Sequence, residues 1–487
     1  MTNPSDYSIV LSTMIGATTR QSNLFFLPLA QQLHMLKDDQ LDAVDELLKD
    51  EVLVDLVRQK LATRNALSTR TGRPGIAPDR LLRCCVLKHV KGWSLRKLEV
   101  ELRGSLPYRL FTGFDADPTP DYSVFSRTFA LLGPETTEQI HKRVVGKAEE
   151  KGVAAGRKMR TDTTVVESNV HYPTDSSLLG DGIRVLTSAL SGVAEECRAG
   201  AIAVVDHARS VKHRLLEISR AAKCRNEAGK DRLRESYRKL LALCGRVVRQ
   251  VLGVLEDFRA GRLPIVGSLT RVVAAEGRLQ HFLPLVERVC AQTQERIWEG
   301  NRYVVGKVLS LFETHTQAIR KGKAHKPTEF GRLVRIDEVE NGIVSCYKVL
   351  AGNPDDRQSW VPALEEHQKQ FGRAPDMATA DRGFYSAANE REAQARGVCR
   401  VVLPARGRLS KVRSVHQKQR WFRRGLRWRA GIEATISTLK HPFSMARATY
   451  KGAEGFERYV GWCVIAKNLV SMARTLTRRK TRAHKAA

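Results

Sequence analysis

The pattern of hydrophobic positions divides the chain into alternating helical and extended regions. From residue 27 to about residue 150, hydrophobic residues recur at intervals of three and four, which is the spacing of one face of an amphipathic helix. The segment LDAVDELLKDEVLVDLVRQKLA shows this spacing and predicts a helix. Ser94 and Asp121 precede two further helical segments as candidate N-caps, and Asp79 is a possible cap of the one before them.

Three short helices joined by tight turns follow one another between the sequences GRPG and FALLG. This order suits a helix-turn-helix motif, in which the last helix enters a DNA groove. That helix would present Ser123, Ser126 and Arg127. A plain helical bundle without DNA contacts is the alternative.

Extended segments begin at residue 158. KMRTDTTVVESNVHY is rich in β-branched residues that alternate with period two, which predicts a strand. EFGRLVRIDEVENGIVSCYKVLAG contains two alternating segments around Asn341-Gly342, a strong hairpin signal. DMATADRGFYS then predicts a strand and a turn, SAANEREAQARG a helix and VCRVVLPARG another strand, and helices resume near residue 428.

A helical block from about residue 184 to residue 320 separates the first strand from the hairpin. Its clearest hydrophobic stripe consists of Leu240, Leu243, Val247, Val251 and Leu255. Without this block the order is strand, hairpin, strand, helix, strand, helix, which fits an α/β sheet with an antiparallel edge hairpin. The block therefore has the character of an insertion into that sheet.

The charge balance favours a polyanionic partner. The formal net charge is +30, and self-repulsion of that size is offset most readily by nucleic acid, whose phosphates release counterions on binding. An anionic membrane is the rival partner. However, the N-terminus lacks the features of a signal peptide, and no apolar run approaches the roughly 20 residues needed to span a bilayer. We expect a cytoplasmic protein.

Three carboxylates stand where a metal site could form. Cutting DNA through two divalent cations requires hard oxygen ligands gathered from different elements. Asp162 lies mid-strand, Asp381 follows the predicted strand MATAD, and Glu433 lies in the helical segment RAGIEATISTLK. Each also has an ordinary explanation, because Asp162 can face solvent, Asp381 can cap its turn and Glu433 can pair with Arg429.

The charge context raises the significance of Glu433. The stretch from Arg400 to Arg429 is rich in arginine and lysine and contains no Asp or Glu, and Glu433 is the first acidic residue after it. Trp421 and Trp428 lie among these cations and are candidates either for stacking on an unpaired base or for core packing.

These segments resemble the insertion-sequence transposases of the DDE superfamily in bacteria. TDTTVVESNVHYPTDSSLL is similar to the segment around that family's first Asp, ATADRGFYS to the segment around the second, and RAGIEATISTLK to the helix around its Glu. One branch carries Tyr-x2-Arg-x3-Glu-x6-Lys; Arg429, Glu433 and Lys440 match this spacing, but Leu426 stands in place of the Tyr. The stretch from GRPG to FALLG resembles the helical domain found upstream in such transposases.

The resemblance implies an α/β RNase H-like catalytic core with a mixed sheet and an antiparallel hairpin. A helical insertion would interrupt this core, and an all-α N-terminal DNA-binding domain would precede it. The expected divisions are 1–150 for the helical domain, 151–183 for the first strand of the core, 184–325 for the insertion, 326–475 for the rest of the core with C-terminal helices, and 476–487 for a basic tail.

The resemblance also implies a function. The chain would be a DNA transposase that binds terminal inverted repeats and target DNA, and that cleaves and transfers strands. Asp162, Asp381 and Glu433 would hold Mg²⁺ or Mn²⁺, with two ions expected. The expected DNA contacts are Arg429, Lys440, Arg424, Arg427, Arg127 and Ser126.

The expected working form is a homodimer in the synaptic complex, without membrane contact, in the bacterial cytoplasm at the nucleoid. A catalytically inactive DNA-binding regulator derived from a transposase is the alternative function. A nuclease of the same type that cuts without joining is a third.

Overall fold

The computed structural model describes residues 38–63, 75–224, 226–301, 303–320 and 327–486. It divides into two compact units, the first formed by Met1–Asn169 with Ile319–Ala487 and the second by Val170–Ala318. The start of the predicted helical region, residues 27–37, lies outside the described residues. Within the described residues, no helix is both long and apolar enough to cross a membrane.

The N-terminal part of the first unit is helical. The helices are α1 (Asp39–Leu48), α2 (Glu51–Ala62), α3 (Pro78–Val90), α4 (Leu95–Gly104), α5 (Leu106–Thr112), α6 (Tyr122–Leu131) and α7 (Pro134–Glu150). Ser94 caps α4 by accepting a hydrogen bond from Lys97, and Asp121 caps α6 by accepting from Ser123 and Val124, as their positions predict.

Two local predictions in this region are wrong. The segment expected to form one helix splits into α1 and α2, because Asp50 accepts a hydrogen bond from the backbone of Val52 and starts a new helix. Asp79 is not the cap of α3, since Pro78 already occupies the first turn and Ala77 is the N-cap residue. Asp79 is instead buried beside Arg83.

The sheet of the first unit is mixed, as predicted. Its strands are β1 (Lys158–Glu167), β2 (Gln317–Ile319), β3 (Glu329–Glu338), β4 (Val344–Val349), β5 (Met377–Thr379) and β6 (Arg400–Val402). The order is β2-β3-β1-β5-β6, and β4 also pairs with β3. β3 is antiparallel to both β1 and β4, whereas β5 is parallel to both β1 and β6.

The predicted hairpin joins β3 to β4. Asn341 and Gly342 both adopt positive φ values, 54° and 73°, which Asn and Gly accept more readily than other residues. The hairpin thereby lies on one side of β1 and the parallel strands on the other, so β1 occupies a central position in the sheet.

Further helices complete the first unit. They are α12 (Trp360–Phe371), α13 (Ala387–Ala395), α14 (Lys411–Lys418), α15 (Arg420–Lys440) and α16 (Gly452–Ala486). α15 packs on β1, β5 and β6, and α16 packs on α1, α3 and α7. One hydrophobic core joins Leu81 of α3, Val334 of β3 and Trp462 of α16, so the N-terminal helices and the sheet share buried surface.

The second unit is a helical body with its own core. It contains α8 (Asp175–Ala194), α9 (Ala208–Ala221), α10 (Glu227–Arg259) and α11 (Leu269–Trp298). The stripe predicted from Leu240 to Leu255 is buried in α10, where it contributes to this core.

Candidate active site

Asp162 and Asp381 lie at the same end of the pairing between β1 and β5, each two residues beyond its last pair. β1 and β5 are parallel, with Arg160 opposite Thr379. Continuing this register by two residues brings Asp381, which follows β5, level with Asp162. Adjacent strands lie about 4.8 Å apart, so this register directs both aspartates to the same edge of the sheet.

Arg429 connects Glu433 with Asp162. From α15, the Arg429 guanidinium donates to Oε1 of Glu433 at 3.1 Å and to Oδ2 of Asp162 at 3.3 Å. The pairing of Glu433 with Arg429 that the sequence allowed is therefore present, but the same arginine also reaches the strand. The Asp162 side chain is 16% exposed and that of Glu433 is 67% exposed, so only Glu433 is free to turn in solvent.

Asp381 caps the turn that follows β5. One carboxylate oxygen accepts a hydrogen bond from the backbone N–H of Gly383 at 2.6 Å, at the start of a 3-10 turn spanning Arg382–Phe384. The capping role that the sequence left open is thus present. A carboxylate offers about four acceptor positions, so capping leaves Asp381 able to bind a further partner.

Asp356 is a fourth carboxylate beside this turn, and sequence reasoning missed it. Its Oδ1 accepts a hydrogen bond from the Thr163 hydroxyl at 2.7 Å. A Cβ atom built on Gly383 would stand 2.8 Å from Oδ2 of Asp356 and 2.7 Å from Oδ1 of Asp381, so both carboxylates approach this glycine and a side chain there would displace them. Asp356 follows Asp355 in a short turn, and no periodic pattern distinguishes the two.

A buried arginine holds α15 close to β1. Arg160 donates from Nε to Glu338 at 3.0 Å, from Nη1 to the Trp428 carbonyl, and its guanidinium lies 4.8 Å from the centre of the Trp428 ring. A side chain in place of Gly431 would displace the Arg160 guanidinium from these contacts. These contacts fix the turn of α15 directly before Glu433. Both Trp421 and Trp428 pack against the core around Phe422.

The three carboxylates do not form a closed metal site. Within the described part of the chain, no group of three or more His, Cys, Asp or Glu residues lies close enough together to hold a metal ion. Their chemistry suits Mg²⁺ or Mn²⁺, which prefer carboxylate oxygens. For Glu433 to join Asp162 at a cation, its carboxylate has to exchange Arg429 for that cation.

The residues expected to contact DNA lie on two elements. Lys440 is the last residue of α15, about two turns from Glu433 and on the same face. Arg424 and Arg427 are exposed but lie about 180° and 120° around the helix from Glu433. They therefore face away from the three carboxylates.

Ser126 and Arg127 belong to α6, the last helix of the predicted DNA-binding motif. Both are exposed, whereas Phe125 and Phe129 of the same helix are buried in the core. Burial of the two phenylalanines fixes the orientation of α6, so Ser126 and Arg127 are presented to solvent on an anchored helix.

Comparison with known families identifies this architecture. A family model described as a transposase DDE domain matches residues 309–469, and one described as a transposase domain (DUF772) matches residues 30–131. The chain therefore carries two transposase domains, one of them a transposase DDE domain. Searches of curated proteins and of solved structures gave no significant match.

The match to the transposase DDE domain includes Asp381 and Glu433 but not Asp162. Asp162 is connected to that domain by the sheet, since β1 pairs with β3 and β5, both of which lie inside the matched range. The matched ranges leave most of the helical second unit uncovered, which is consistent with a segment inserted between β1 and the rest of this transposase domain.

Proposed function

We propose that this chain is a metal-dependent DNA transposase with an RNase H-like core, and that Asp162, Asp381 and Glu433 are its catalytic carboxylates. The observation that supports this proposal is the parallel register of β1 and β5, whose last pair, Arg160 with Thr379, lies two residues before Asp162 and Asp381. The Arg429 contacts support the third member, since they draw Glu433 towards the same strand.

In the proposed mechanism, Asp162, Asp381 and Glu433 would hold the cations, with Glu433 exchanging its contact with Arg429 for one of them. Two divalent ions, when bound, neutralise the scissile phosphate and activate the attacking oxygen. The released Arg429 guanidinium then lies beside the site and is free to contact a phosphate, as the sequence predicted. Lys440 extends the same basic face along α15.

The proposed DNA-binding element is α6, with Ser126 and Arg127 directed into a groove at the terminal repeats. Its anchored orientation supports this role, since a recognition helix must be held rigidly by the helices behind it. An Arg127→Ala variant should lose affinity for the terminal repeat by about 1–3 kcal/mol and retain affinity for unrelated DNA. An equal loss for both DNAs would contradict recognition by α6.

Catalysis is tested on DNA from the two sides of this reading frame, where inverted repeats are expected. Asp162→Asn, Asp381→Asn and Glu433→Gln should each abolish cleavage in Mg²⁺ or Mn²⁺ while binding of the labelled DNA persists. Asp376→Asn is the matched control, because Asp376 is an exposed acid directly before β5. Near-normal cleavage by any of the three variants would refute its assignment.

The same assay distinguishes a transposase from an inactive DNA-binding regulator and from a nuclease that cuts without joining. A wild-type protein that binds the repeats but cuts nothing in either metal would be the inactive regulator. Cutting without joined products on a target plasmid would indicate a nuclease that does not transfer strands. The transposase requires both products, and sedimentation of the protein with two repeat ends tests the proposed homodimer.

A further inference from the structure

The short helix α14 exposes valines among lysines. Val412 is 81% exposed and Val415 is 66% exposed. With about 100° of rotation per residue, both lie on the same face of the helix as the exposed Lys411 and Lys418. Leu409, two residues before the helix, is 38% exposed. This face combines an apolar centre with positive charge, and within the described residues nothing covers it.

The outward direction of these valines is fixed by contacts on the opposite face. Arg413 donates to both carboxylate oxygens of Glu390 at 2.8 Å and to the Leu403 carbonyl at 2.6 Å. Its guanidinium also lies 4.9 Å from the centre of the Tyr385 ring. Because α14 is held on this side, the exposure of the valines is a property of the fold.

These contacts also place α14 beside the proposed active site. Tyr385 directly follows the turn that Asp381 caps. Arg406, in the segment leading to α14, donates from Nε to the carbonyl of Arg382 in that turn at 2.9 Å. α14 therefore packs next to the end of β5 that precedes Asp381, with its exposed valines on the side away from these contacts.

Charge complementarity selects the occupant of this face. The chain from Arg400 to Arg429 contains no acidic residue, and the whole protein carries a net charge of +30. A second copy of this surface would be repelled. The major groove of duplex DNA admits an α-helix, offers thymine methyl groups at its floor and is bordered by phosphates.

We propose that α14 enters the major groove of the DNA end next to the cleavage site. Val412 and Val415 pack against thymine methyl groups, and Lys411 and Lys418 contact phosphates on the groove walls. An eight-residue helix is about 12 Å long and spans about four base pairs. This inference rests on the proposed function, because it takes the DNA to be the substrate of the adjacent carboxylates.

The test compares two double variants with wild type in binding to labelled repeat ends. Val412→Ser/Val415→Ser should weaken binding about tenfold with an unchanged salt dependence, since it removes apolar surface only. Lys411→Gln/Lys418→Gln should lower the slope of log affinity against log salt by about 0.9 for each phosphate that the variant no longer neutralises. Val266→Ser/Val273→Ser is the matched control, since these valines are exposed in the second unit.

The packing on thymine is tested by replacing thymine with uracil in the terminal base pairs, which removes only the methyl group. Wild type should lose affinity on this DNA, whereas the Val412→Ser/Val415→Ser variant should show no further loss. Equal binding of this variant and the control on normal DNA would overturn the proposal. So would a loss of self-association in sedimentation without a loss of DNA affinity.

Binding is measured without cleavage, so the two proposals can fail separately. If wild type binds repeat ends but does not cut them, the proposed catalysis fails while α14 is still tested. If wild type cuts and the valine variant binds all DNAs as wild type does, only the role of α14 fails.

Discussion

Arg160 and Glu338 form a buried ion pair beneath the helix that carries Glu433. They are opposite one another in β1 and β3, and the side chain of Glu338 is completely buried. Lys467 of α16 lies against the same cluster, with its Nζ buried and without a hydrogen-bond partner. The buried carboxylate of Glu338 thus lies close to two cationic side chains, those of Arg160 and Lys467, directly under the proposed active site.

Removing the carboxylate of Glu338 should strongly destabilise the protein. Glu338→Gln leaves the charges of Arg160 and Lys467 without a counter-ion, and breaking a buried pair in this way costs about 3–5 kcal/mol. The measurement is the free energy of unfolding in urea. Asp355→Asn is the control, because Asp355 pairs with Arg357 at the surface and should have little effect. A Glu338→Gln protein as stable as this control would show that the pair is solvated.

Lys467 gives a pH-dependent prediction. Burial lowers the pKa of Lys467 from 10.5 to about 8, although Glu338 opposes this shift. Between pH 8 and 10.5 the unfolded chain holds this proton and the folded chain does not, so stability rises with pH there and the full cost is present below pH 8. Lys467→Met should therefore stabilise the protein at pH 7, by up to about 3 kcal/mol.

The gain in free energy of unfolding from Lys467→Met should shrink as the pH rises from 8 towards 10.5. Urea unfolding of both proteins across that range measures the difference. A constant difference would mean that Lys467 has an ordinary pKa in the folded protein. A destabilised variant at pH 7 would mean that its ammonium group is needed by Glu338.

Arg429 should compete with metal ions for the carboxylates. It donates to both Asp162 and Glu433, so a cation binding there must displace a positive charge. Arg429→Gln should bind Mn²⁺ about tenfold more tightly, as measured by calorimetry on the free protein. Arg427→Gln on the far side of α15 is the control. Weaker or unchanged Mn²⁺ binding by Arg429→Gln would place the metal elsewhere.

The two contacts of Arg429, with Glu433 and with Asp162, show which parts of the site could be predicted from the sequence. Its contact with Glu433 follows from a spacing of four residues on one helix, and this pairing was predictable as an alternative. Its contact with Asp162 joins residues 267 positions apart, and depends on how α15 lies on the sheet. The sequence contains no local signal for that crossing.

The same distinction holds for the fold. The β3–β4 hairpin was predictable because Asn341 and Gly342 favour the positive φ values of a tight connection. The place of β1 between β3 and β5 was not predictable from local pattern, because the second unit separates β1 from both partners in sequence. Asp356 was missed for a related reason, since only the folded chain brings it to Thr163.

The close approach of α15 to β6 depends on Gly425. A Cβ atom at this position would stand 2.6 Å from Cγ2 and 3.1 Å from Cγ1 of Val402, a branched side chain in the core. Gly425→Ala should therefore destabilise the protein by about 1–3 kcal/mol, despite the helical preference of alanine. Gly146→Ala in α7 is the control, because nothing lies within 4 Å of its Cβ, and it should stabilise by up to about 1 kcal/mol.

Shortening Val402 should reduce the loss of stability that Gly425→Ala causes. Val402→Ala removes both methyl groups that the new Cβ would meet, so Gly425→Ala should cost less in a Val402→Ala background than in wild type. The double-mutant cycle in urea unfolding should give a favourable coupling of about 1 kcal/mol or more. Cleavage should follow the same order, because a displaced α15 moves Glu433 away from Asp162. Additive effects on stability would mean that α15 shifts along the sheet without resistance from Val402.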